Sequence, residues 1–284
     1  RSVTSKNMNF SDLTVCMVPT LKKRIESNFD VANTLASYDV VIVDECDVSI
    51  NKTYSEVLKN CYNSMIKIGM SGTPFMFKDP TKNWEMESIY GQTLYEISNR
   101  ELMDRGYSSE VKISIHKGSR RIVREDLTYS EVYDKCITKN KKRNNNIIKR
   151  VRHHYNKSRY PILVVVKYIK HANILYRRLN EEMGDEVKIG MAHHSKKDRQ
   201  EVVSQFKNGE LDVMVATLIV QRGKNFPYLR ALVYGGSGTS HNSVLQILGR
   251  ATRRHKDKKI TPKYMDDFHD DGEYIRLHSE RRIR

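Results

Sequence analysis

The chain has 284 residues, 38% hydrophobic and 30% charged, enough for two domains of ordinary size with a core in each. Lys and Arg number 50 against 34 acids, a formal charge of +16, and that excess points to a polyanionic partner, nucleic acid first. No apolar run approaches the ~20 residues of a membrane-spanning helix. The four cysteines, at 16, 46, 61 and 136, lack zinc-type spacing and read as reduced thiols of an intracellular protein.

In chain order, "LTVCMVPTL" (13–21) predicts a strand ending in a turn at Pro19, and "ANTLASY" (32–38) a short amphipathic stretch. "YDVVIVDECDVS" (38–49) carries a strand over Val40–Val43 that runs straight into Asp44, Glu45, Cys46 and Asp47. "YSEVLKNCYNSM" (54–65) has helical spacing, and "KIGMSGTP" (67–74) is a strand breaking at Gly72 and Pro74. "SNRELMDRGY" (98–107) reads as a helix and "EVKISIH" (110–116) as an extended connector. Residues 117 to 160 are basic, with "KNKKRNNNIIKRVRHH" at their centre. They are expected to form a linker and interdomain helix whose charge run, 139–154, is first a solvated face.

A second pattern opens at "YPILVVVKY" (160–168), an apolar run of the kind buried parallel strands show. A helix (170–183), a strand (187–191), a helix (196–207), two strands (212–217 and 230–236) and a helix (242–254) follow. Strands alternating with helices predict an α/β fold with two parallel-sheet domains, 1–117 and 118–284. The pairs His153-His154 and His193-His194, and "DDFHDD" (266–271), lack fixed ligand spacing and read as structural; the last fits a strand end and turn.

Three constellations carry chemistry. Asp44 and Glu45 stand at a strand's carboxyl end, where parallel sheets gather ligands. Adjacent acids there can divide the tasks of holding magnesium and orienting an attacking water. In "QILGRATR", Gln246, Gly249, Arg250 and Arg253 fit one helical turn and its neighbour, and guanidinium forks suit phosphate oxygens. In "VATLIVQRGKNFP" (215–227), a strand ends at Thr217 and a loop bracketed by Gly223 and Pro227 follows.

The ordered set "VIVDECD", then "MSGTP", then "QILGRATR" resembles the superfamily-two helicases and translocases, and among them the phage recombination and branch-migration helicases. The resemblance implies two RecA-like domains, ATP and magnesium as cofactors, DNA as partner, a monomer, and an ATP-dependent helicase acting on branched DNA in recombination and repair. Asp44 would hold magnesium through water and Glu45 would be the catalytic base. Asp47, Ser71 and Thr73 would couple hydrolysis to domain movement, and Arg250 and Arg253 would be arginine fingers with Gln246 beside the γ-phosphate. Gly223 and Asn225 would line the nucleotide cleft; Thr20, Lys167 and Thr217 would lie near the nucleic-acid backbone.

One expected part is missing: no Gly-x-x-x-x-Gly-Lys-Ser/Thr follows a strand, and only 43 residues precede Asp44. The first RecA-like domain is therefore expected to be incomplete at its N-terminus, the chain to be the C-terminal portion of a longer helicase, and the chain alone to be inactive on ATP. Two other readings stand beside this one: a non-catalytic nucleic-acid-binding remnant, and an RNA helicase.

Overall fold

The structure is a computed structural model describing residues 2–3, 9–72, 74–75, 77, 79–118, 126–217, 226, 228–237, 263–270, 275–277 and 279–280. The chain divides into two compact units, Arg1–Glu96 and Ile97–Arg284.

In the first unit β1 (Ser2–Val3) and β2 (Val15–Cys16) pair in parallel. The strand expected over 13–21 is cut short because Pro19 lies in the first turn of helix α1 (Val18–Ser27), where its fixed φ favours helix and its missing N–H costs nothing. Helix α2 (Phe29–Ala36) starts at Asn28, whose side chain accepts from the Asp30 N–H at 2.9 Å. Then come β3 (Val40–Asp44), a single 3₁₀ turn (Cys46–Val48), α3 (Lys52–Leu58), β4 (Ile66–Met70) and α4 (Pro80–Tyr90). Helix α4 escapes a sequence reading because Met86 is its one buried residue, which leaves no apolar stripe to detect.

Strands β3 and β4 run parallel in register from Val40 opposite Ile66 to Asp44 opposite Met70. Period-two alternation splits their side chains between two faces. On one face Val43 packs with Cys46 and Met86, and Val41 with Leu21, Val31 and Leu35. On the other face Val40, Ile42, Ile66, Ile68 and Met70 are exposed.

The second unit holds α5 (Asn99–Asp104), β5 (Val111–Lys117), α6 (Tyr129–Tyr133), a π turn (Asp134–Thr138) and α7 (Lys141–Asn156). After them come β6 (Ile162–Val166), α8 (Ile169–Met183), β7 (Ile189–Ala192), α9 (Arg199–Asn208), β8 (Val213–Thr217), β9 (Ala231–Tyr234) and β10 (Lys263–His269). One sheet, in the order β5-β10-β9-β6-β8-β7, is parallel throughout. Every residue of β6, β8 and β9 is buried, with one hydrophobic cluster around Phe206 and another around Leu175 and Phe268. A Val or Leu so enclosed contributes about 1.5–3 kcal/mol over its exposed state. Both units are thus parallel α/β, as the sequence predicts.

Three expectations are corrected. Residues 110–116 are not a connector: β5 pairs with β10 over seven residues, from Val111 opposite Lys263 to Lys117 opposite His269. The division between units therefore falls after Glu96 and not at 117, and residues 117–160 belong to the second unit instead of forming a linker. The basic run 139–154 is mainly α7, and its inward face buries Arg143, Asn144, Ile147, Ile148, Val151 and His154. The strand end expected at "DDFHDD" is present: Asp266 to His269 close β10, where Asp266 and Asp267 are buried among paired strands.

Candidate functional site

The acid cluster is built by the way β3 ends. Asp44 is its last residue, exposed, and Glu45 then turns the chain with φ 52° and ψ 50°, a left-handed conformation uncommon for a residue with a β-carbon. The turn holds because Cys46 on its far side is buried against Val43 and Met86, and Asp44 Oδ1 accepts from the Glu45 N–H at 3.0 Å. Burial first, and then the neighbouring Asp47 charge, push the Cys46 thiol up, so it is an apolar peg in this site and not a nucleophile.

The peg fits only because its neighbour on β4 is glycine. A β-carbon on Gly69 would stand 2.9 Å from Cys46 Sγ and 2.9 Å from Tyr90 Cγ. Beyond it, the Ser71 hydroxyl donates to Asp47 Oδ1 at 3.1 Å, joining the segment after β3 to the segment after β4. Ser49, wholly buried, shares a 2.6 Å hydrogen bond with the Tyr90 hydroxyl, and burial raises that phenol to about 12. Asp44, Glu45, Asp47 and Ser71 are thus assembled at one edge of the β3–β4 pair.

Whether this edge suits magnesium and a triphosphate depends on its donors. Carboxylate oxygens are the hard ligands magnesium takes, and it usually keeps water and phosphate oxygens for the rest. Among the described residues no three His, Cys, Asp or Glu side chains converge on one point, so the protein alone makes no metal cage here. One exposed carboxylate on a strand end fits that mode. Thr20 lies elsewhere, in the first turn of α1, its N–H bonded to Met17 O at 2.9 Å.

In the second unit Thr217 ends β8 directly opposite Val166 of β6, and Lys167 is the next residue along. The two therefore stand at neighbouring carboxyl ends of one parallel sheet, the side on which such sheets bind ligands. The same edge carries Gly235 and Gly236 after β9, held by a residue the sequence reading did not single out. Arg143, fully buried on α7, donates through Nε and Nη2 to the two oxygens of Asp270 at 2.7 and 3.0 Å. Its remaining donors reach Gly235 O at 2.6 Å and Gly236 O at 3.0 Å. A guanidinium fork satisfies all four acceptors at once, which a lysine could not. No sequence signal marks it, because the arginine stands in a run of basic residues whose others are mostly exposed.

A second buried acid serves packing. Asp266 accepts from Arg150 Nε at 3.0 Å and is bonded to Nε2 of His154 and of His116, which ties β5 and α7 to β10. Burial would raise its carboxyl, but the hydrogen bonds from His154 and His116 and the Arg150 charge outweigh it and hold the group low. Of the other predicted site residues, Thr73, Gly223, Asn225, Gln246, Arg250 and Arg253 lie outside the described residues.

Residues 142–255 match the family model of the helicase conserved C-terminal domain. A putative helicase of Sulfolobus islandicus filamentous virus is 24% identical over 255 residues, 84% of this chain and 44% of that protein. The ATP-dependent DNA helicase uvsW of Enterobacteria phage T4 is 24% identical over 231 residues, 79% of this chain and 45% of the relative. Among solved structures, a fragment of a putative HsdR subunit of a type I restriction enzyme from Vibrio vulnificus aligns with a TM-score of 0.61 at 19% identity, covering 90% of this chain and 47% of that one. The parallel sheets and the matched C-terminal helicase domain agree with one another. Over residues 142–255 the chain is similar to the helicase conserved C-terminal domain, and over most of its length to superfamily-two helicases. It spans less than half the length of these two viral relatives.

Proposed function

We propose that this chain is part of an ATP-dependent DNA helicase or translocase that remodels branched DNA. The observation that carries this reading is the hydrogen bond from Ser71 to Asp47, because it joins the strand end bearing the acids to the strand end bearing the coupling motif. The phage relative's description as an ATP-dependent DNA helicase, and the formal charge of +16, support DNA as substrate.

Bound magnesium and ATP would supply the phosphoryl bond whose cleavage drives movement. Asp44 would hold the ion through water, its exposed carboxylate being the hard donor on this edge. Glu45, turned away from the strand axis by its left-handed backbone, would accept the proton of the attacking water. Arg250 and Arg253, with Gln246 beside them, would stabilise charge developing on the phosphate, an effect worth ~10³–10⁵ in rate where arginine fingers are measured. Gly223 and Asn225 would line the nucleotide cleft, and Thr73 would act with Ser71. Lys167 and Thr217, with Thr20, would contact the nucleic-acid backbone, as the adjacent strand ends of the first two suggest.

The test is steady-state ATP hydrolysis by the full-length protein that carries this chain, with single-stranded DNA, branched DNA or RNA added, in wild type and in Ser71→Ala. The proposal expects stimulation greatest with branched DNA. It expects Ser71→Ala to keep ATP hydrolysis while losing strand separation, since the bond couples the two and does no chemistry. Loss of neither activity in Ser71→Ala would contradict the coupling role. Absence of any nucleic-acid-stimulated hydrolysis would favour the non-catalytic remnant.

A further inference from the structure

Three tyrosine rings surround one ammonium at the carboxyl end of β6. Lys167 Nζ stands 5.1 Å from the ring centre of Tyr129, 5.4 Å from that of Tyr133 and 5.2 Å from that of Tyr168. Tyr133 is the anchor: it is fully buried, its hydroxyl accepts from the Ser237 N–H at 3.0 Å, and burial holds its phenol well above the usual range. The other two lean on it. Tyr168 meets Tyr133 edge-on at 4.9 Å and 86°, and Tyr129, four residues earlier on α6, meets it at 6.1 Å. Tyr129 and Tyr168 as residues remain 37% exposed.

A lysine amid tyrosines can be mere packing, and the surroundings decide against that. The group lies beside Thr217 on the ligand-gathering edge of the sheet. The acids of α6 and of the turn that follows it are already engaged. Asp134 pairs with Lys139 at 2.6 Å and with Lys170 at 3.3 Å, while Glu131 accepts from the Thr128 N–H at 2.9 Å and its hydroxyl at 2.8 Å. A polyanion arriving there meets positive charge and two partly exposed aromatic side chains together. Duplex bases hide their faces in their own stack, whereas a single strand offers them to aromatic side chains.

We infer that Tyr129 and Tyr168 form a stacking platform for bases of a single strand, with Lys167 between them on the adjoining phosphate. The inference rests on the nucleic-acid reading above and deepens it: the second unit grips bases as well as backbone. Aromatic stacking tolerates any base, so such a grip suits a motor that must pass over every sequence.

The test is binding of this chain to a fluorescent dT oligomer and to an abasic oligomer of equal length and charge, across a salt series. Wild type should hold dT more tightly than the abasic strand. Tyr168→Ala and Tyr129→Ala should each weaken dT binding about 5- to 150-fold and leave abasic binding and the salt slope unchanged. Tyr168→Phe should keep full affinity, and Lys167→Ala should remove about 0.7 from the slope on both strands. Equal wild-type affinity for the two oligomers, with a steep salt slope, overturns the platform while the nucleic-acid reading stands. No salt-dependent binding to either strand overturns both.

Discussion

The two units solve the same problem, a parallel sheet, to different depths. In the second, β6, β8 and β9 are buried along their whole length, and clusters on both faces close around them. In the first, β3 and β4 have one packed face, while Val40, Ile42, Ile66, Ile68 and Met70 meet solvent on the other. Rigidity and chemistry are distributed accordingly. The second unit braces the carboxyl end of its sheet with the buried Arg143–Asp270 pair, whereas the first carries its acids at the end of β3, a strand joined to β4 through Cys46, Gly69 and the Ser71–Asp47 bond.

The largest break in that contrast should come from Arg143→Met. It leaves the Asp270 carboxylate buried without its partner and strips Gly235 and Gly236 of their donors. A loss of about 3–5 kcal/mol is expected. Calorimetry should show the second unit's transition falling and the first unit's unmoved. A shared fall would mean that the units unfold as one.

Acid should weaken the second unit next. His171 is wholly buried beside Asn144, 2.8 Å from its Oδ1, and burial followed by the Arg143 charge lowers it to about 3. An unfolded histidine titrates near 6.5, so the unfolded chain binds the proton first. The stability from a neutral His171 is complete above that value and is lost as pH falls toward 3, about 2 kcal/mol of it between pH 7 and 5. Denaturant melts of His171→Gln should show a pH dependence flatter by that amount, and an unchanged profile would exclude this histidine as the cause.

A smaller effect belongs to the first unit. Gly69→Ala would drive a methyl into Cys46 and the Tyr90 ring, at a cost of about 1 kcal/mol or more. Protease susceptibility should rise within residues 1–96 alone. The smallest effect is Ile68→Thr on the open face, expected to shift stability within about 0.5 kcal/mol while reducing binding of an apolar dye. A large destabilisation there would show that the face is covered.

What the sequence revealed follows the same division. Buried parallel strands announce themselves, as "ILVVV" and "VMVAT" do, because both faces demand apolar residues. The acid cluster was legible because its members are neighbours in the chain, and Ser71 because "MSGTP" resembles the coupling motif of the helicases. Strand β5 was not legible: it is an edge strand with little burial, and its partner β10 lies some 150 residues away in the chain. Nor was the buried face of α7, a helix the basic run did suggest, because Ile147, Ile148 and Val151 are scattered among lysines and arginines. The aromatic group draws on α6 and the β6–α8 junction, and only folding brings those together.

Single-turnover ATP hydrolysis in the full-length protein would show whether Glu45 is the base of a nucleotide-hydrolysing site. Glu45→Gln keeps the shape of the side chain and removes its basicity. The hydrolysis rate should fall about 10²–10⁴-fold with nucleotide affinity kept. Hydrolysis at the wild-type rate in that variant would contradict that role.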